Sequence, residues 1–77
     1  MTGRWFVTPH AVRQYVQRYA YQLSYDQALA NLIRLSEGAR FIRRSHGCEL
    51  WRGPRPSRLR MIVGPGDGEK PALVTVL

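Results

Sequence analysis

Two hydrophobic periods divide the chain at Gly38. Before it, Ala11, Val12, Tyr15, Val16 and Tyr19 recur at three- and four-residue spacing, with His10, Arg13, Gln14, Gln17 and Arg18 on the opposite side. Thr8 reads as a helix N-cap, and Pro9 suits the first helical position, where a missing N–H costs nothing. A first helix is therefore predicted from about Pro9 to Ala20, preceded by a short strand, Arg4–Val7. Ser24 and Gln27 have the spacing of a capping box. The second helix carries Ala28, Leu29, Leu32, Ile33 and Leu35 inward, and Gly38 is expected after its end in a left-handed conformation.

After Gly38 the period becomes two. Strands are predicted at Arg40–Arg44, Cys48–Arg52, Arg58–Val63 and Ala72–Leu77. Ser45-His46-Gly47 supplies the first turn, Gly53 to Ser57 the second, and Gly64 to Pro71 a glycine-rich third. The expected fold is α+β in the order β-α-α-β-β-β-β, with two helices on one face of an antiparallel sheet. Alternation suggests Leu50, Leu59, Met61 and Val63 beneath the helices, leaving Glu49, Trp51, Arg58 and Arg60 on the other face with arginines of the preceding strand such as Arg43. The apolar end Ala72–Leu77 reads as an edge needing cover, which raises the expectation of a homodimer through that strand.

Seventy-seven residues suit one domain, 1–77. Charge changes the picture more than size does. Twelve basic residues face five acidic ones, and all the basic ones except Lys70 are arginine, a planar fork that pairs phosphate in two places and stacks on bases. An excess of this size favours a polyanion through counterion release. An arginine-rich sheet face with the Trp51 indole reads as a platform for single-stranded RNA, RNA being preferred to DNA, with Arg43, Trp51, Arg58 and Arg60 as contacts. The alternative partner is an acidic protein surface. One cysteine, Cys48, allows no internal disulfide and suggests a cytoplasmic setting. No run of about 18 apolar residues marks a membrane partner.

The sequence offers no cofactor signature and no metal site. His46, Cys48 and a distant His10 have the wrong spacing for zinc, and Gly64-Pro65-Gly66-Asp67-Gly68 lacks the Lys-Ser/Thr of a phosphate loop. Metal-independent RNA cleavage would need a proton acceptor, a proton donor and positive charge at the phosphorus. Histidine is the usual proton carrier near neutral pH, which makes His10 and His46 the natural candidates; Glu49 is a further candidate base, and Arg13, Arg58 or Arg60 would hold phosphate.

Val7-Thr8-Pro9-His10-Ala11-Val12-Arg13-Gln14-Tyr15-Val16-Gln17-Arg18, followed by Leu23-Ser24, resembles the Thr-x-His-Ala-x-x-Arg opening of certain small bacterial and phage-encoded proteins. These are similar in outline to the RelE-like branch of the barnase–EndoU–colicin–RelE ribonuclease group. The resemblance implies a toxin-like endoribonuclease, or its inactive RNA-binding relative, with His10, Arg13 and Thr75 as catalytic candidates. A phage or mobile-element inhibitor that docks its basic surface on an acidic host protein is the other expectation.

Overall fold

A computed structural model describes residues 4–66, 68 and 70–77. Seven elements follow one another: β1 (Phe6–Val7), α1 (Pro9–Tyr19), α2 (Tyr25–Glu37), β2 (Arg40–Ser45), β3 (Cys48–Arg52), β4 (Arg60–Gly64) and β5 (Ala72–Val76). This is the α+β order the periodicity predicts. Thr8 caps α1 and Ser24 closes a complete capping box with Gln27 on α2. Gly38 ends α2 as expected but at φ −99°, outside the left-handed region. Its small size has another use: an added Cβ would stand 3.2 Å from the Pro54 side chain.

The sheet runs β1-β5-β4-β3-β2. Strands β2 to β5 form the expected antiparallel meander, whereas β1 joins β5 in parallel, making the sheet mixed. His46 (φ 53°) and Gly47 (φ 78°) turn β2 into β3. Positive φ at both central residues is what a two-residue hairpin matching the strands' twist requires.

Pairing with β1 also changes the status of β5. The first half of the apolar strand, Ala72 and Leu73, is covered by β1 and is not a free edge. The outer strands of the sheet are the two-residue β1 and β2, whose six residues are all exposed and include Arg40, Arg43 and Arg44. Short length and charge both discourage edge-to-edge pairing.

One face of the sheet carries the core. Val12 of α1, Leu32 of α2, and Met61, Val63, Leu73 and Val76 of the sheet are fully buried. Burying each such side chain contributes roughly 1.5–3 kcal/mol. Helix α1 rests on β5, and α2 packs on α1. Towards β2 and β3 the cover is aromatic: Trp5 meets Trp51 edge-on at 5.1 Å, and Phe41 meets Trp51 at 5.6 Å.

Thr8 locks α1 to β5. Its Oγ1 accepts from Ala11 N at 3.2 Å and shares its one hydrogen between Leu73 O (2.9 Å) and Val74 O (3.1 Å), while its own N–H reaches Leu73 O at 3.2 Å. Ala11, fully buried one turn on, leaves room for that close approach. Thr8→Val, which keeps the shape without the hydroxyl, should lose about 1–3 kcal/mol from the cap and the carbonyl bonds together, and Thr8→Ser should recover most of it. Urea denaturation measures this; wild-type stability in Thr8→Val would show that the hydroxyl contributes nothing.

Candidate nucleic-acid interface

Register decides which side chains share the open face. Trp51 pairs with Met61 and Glu49 with Val63, whereas Leu50 pairs with Ile62 and Arg52 with Arg60. Because cross-strand partners point to the same side, buried Met61 and Val63 carry Trp51 and Glu49 with them to the helix side. The sequence expectation had grouped Leu50 with Met61; the strands pair one residue away from that register, and every β3 side chain changes face. Trp51 and Glu49 are therefore not on the open face, and Leu50 is.

What the open face does carry is a row of arginines. Arg40 pairs with Arg52 and Arg52 with Arg60, three exposed guanidinium side chains abreast on strands about 4.8 Å apart. A β-bulge at Ile42 then brings Arg43 opposite Leu50, so the next row reads Arg43, Leu50, Ile62, Thr75. Arg43, Cys48, Leu50, Arg60 and Ile62 line a shallow cavity of about 200 Å³, and Glu49, paired with Arg44, also borders it. Like charges directly opposite on neighbouring strands destabilise a sheet. Among the described residues neither Arg40, Arg43, Arg52 nor Arg60 has a side-chain hydrogen bond or ion pair; the ion pair formed there joins Arg44 to Glu49.

The remaining site candidates are dispersed. Arg58 is exposed in the segment leading into β4. Trp51 donates its indole N–H to Glu49 Oε1 at 3.0 Å and has the Arg4 guanidinium 4.9 Å from its ring centre, so its edge and a face are already engaged. His10 and Arg13, both exposed, line a groove of about 480 Å³ between α1 and the start of α2, with Gln14, Gln17, Leu23 and Tyr25. Thr75 belongs to the open face, on the far side of the sheet from α1. The structure thus joins His10 with Arg13 but separates both from Thr75. His46 sits in the β2–β3 hairpin, its Nδ1 2.9 Å from Ser45 Oγ.

Arg40, Arg52 and Phe6, which the sequence reading did not select, belong to the open face; period two would have found Arg52 beside Arg60 had Trp51 been matched with Met61. Among the described residues no three His, Cys, Asp or Glu gather as metal ligands, and no helix is long and apolar enough to cross a membrane. By fold and surface the chain is a two-helix, five-stranded mixed-sheet protein with a cationic open face. It matches no known protein family, no curated protein and no solved structure.

Glu49 is held below the ordinary carboxylate range, first by the hydrogen bond from Arg44 and then by that from Trp51. A depressed folded-state pKa contributes stability that is present above the unfolded value and is lost as pH falls through the folded one. Glu49 should therefore titrate below the ordinary glutamate range in a carboxyl NMR titration, and Arg44→Ala should move it upward. Unchanged titration in that variant would remove Arg44 as the cause.

Proposed function

We propose that the protein is an RNA-binding module that holds the phosphodiester backbone of a single strand across its open sheet face. The observation that carries this reading is the row Arg40–Arg52–Arg60, flanked by Arg43, none of which is ion-paired among the described residues. Charge that the fold does not neutralise internally is available to an external polyanion, and each phosphate it pairs releases counterions. A flat face of neighbouring strands suits a single strand with splayed bases better than a duplex groove. The apolar floor, Leu50 and Ile62, supports the same orientation by offering contact to whatever lies between the phosphates.

Binding is favoured over cleavage because His10 and Arg13 lie apart from Thr75 and from the arginine row. The resemblance to toxin-like ribonucleases is accordingly carried forward in its RNA-binding form. The acidic-protein reading uses the same charges, and the following measurement separates the two.

Fluorescence anisotropy with a mixed single-stranded RNA should show binding that falls steeply with salt, the logarithmic slope shrinking by about 0.7 for each phosphate contact removed. Arg52→Ala should weaken binding and reduce the slope, with folding stability unchanged or raised; His10→Ala should do neither. Failure of the wild type to bind RNA at low salt would overturn the proposal. Stable, nuclease-insensitive co-purification with one acidic protein would then favour the alternative, and RNA cleavage abolished by His10→Ala would restore a catalytic reading.

A further inference from the structure

The open face does not end at the arginines. Beyond Thr75 the β5 strand bulges, leaving Val74 exposed between two paired positions, and β1 then adds Phe6 opposite Ala72. Phe6 is 59% exposed, although its neighbour Trp5 is buried. Phe6, Thr8, Pro65, Gly66, Lys70 and Val74 are among the residues around a groove of about 710 Å³. Its wall is drawn in tightly: a Cβ at Gly66 would collide with the Lys70 carbonyl oxygen, so the chain at Gly66 lies closer to the segment entering β5 than a residue with a side chain would allow.

This groove differs chemically from the arginine row. Phe6, Ala72 and Val74 make its floor apolar, and Lys70 is the one charged residue among the described residues around it. An apolar floor of this kind suits the face of an uncharged planar ring. The groove lies two strand spacings from Arg60, about 10 Å, and about five residue rises along β5, roughly 17 Å, a diagonal that a few nucleotides of one extended strand would cover.

We propose that Phe6 stacks a nucleobase of the strand whose phosphates lie on Arg40, Arg52 and Arg60, with the Val74–Gly66 groove receiving that base. The inference rests on the RNA-binding reading and adds to it a second kind of contact, one that depends on bases and not on charge. Base–aromatic stacking is sequence-tolerant because every base has a π face, so Phe6 adds affinity without fixing a sequence.

The test uses two probes, a single-stranded RNA decanucleotide and inorganic polyphosphate, against the full chain. Phe6→Ala should weaken RNA binding about tenfold and leave polyphosphate binding unchanged; Phe6→Trp should bind RNA as tightly as the wild type or more so. Arg52→Ala should weaken both probes. Unchanged RNA binding in Phe6→Ala overturns the stacking proposal, as does an equal loss for RNA and polyphosphate, which would make Phe6 a structural residue. Arg52→Ala binding both probes like the wild type would instead overturn the arginine reading, and the selective loss at Phe6 would still be visible.

Discussion

Side chains alternate across a strand, so the pairing of Trp51 with Met61 decides what the outer face of this sheet can be. Met61 is fully buried beneath the helices, and its partner must therefore lie on the helix side. Trp51 does, edge-on to Trp5, and from that one registration Arg52 is obliged to stand beside Arg60 facing outward. The bulge at Ile42 has a matching consequence on β2. Without the extra residue, Arg43 would fall on the helix side with Phe41; with it, Arg40 and Arg43 both face out. Core packing thus sets the geometry of the charged surface.

The parallel pairing of β1 with β5 is the second constraint. An apolar terminal strand at the edge of a meander would present unpaired carbonyls, yet here Phe6 and Val7 cover its first half. Side chains complete the cover: Thr8 reaches Leu73 O and Val74 O, and the Tyr19 hydroxyl donates to Leu77 O. Helix α1 begins where β1 ends, so the strand that closes the edge also fixes where the helix lands. That is why Thr8 and Ala11, two members of the Thr-x-His-Ala pattern, have an evident structural reason to be what they are, whereas His10 points into the groove with Arg13 and has no such reason in the fold.

Local signals were legible in the sequence. Thr8, the Ser24–Gln27 box and His46-Gly47 each act through neighbours within three or four residues, and the boundaries they imply agree with the structure. Relations between distant segments were not. Nothing in Arg4–Val7 distinguishes a strand parallel to β5 from one antiparallel to it, because both bury the same residues. Period two in Cys48–Arg52 fits either register, since Leu50 and Trp51 are both large and apolar, and the choice falls to a tertiary contact, Trp51 with Trp5 and Met61. A one-residue ambiguity there inverts the face, which is why the cationic character of the surface was legible while the identity of its residues was not.

Charge and stability oppose each other on this face. Arg40, Arg52 and Arg60 repel across adjacent strands, and among the described residues the ion pair formed lies elsewhere, at Arg44 and Glu49. The repulsion is tolerable because the long side chains reach water, where charges several ångströms apart interact weakly. It still acts only on the folded chain, which alone holds the three groups abreast. An anion seated on the row therefore removes a penalty and adds a contact at once, and any ligand that binds only the folded state stabilises it by RT ln(1 + [L]/Kd). Salt screens the repulsion but also weakens the ligand's hold. A protein built this way would gain stability from any polyanion bound there most at low ionic strength, the regime in which its own surface opposes folding most.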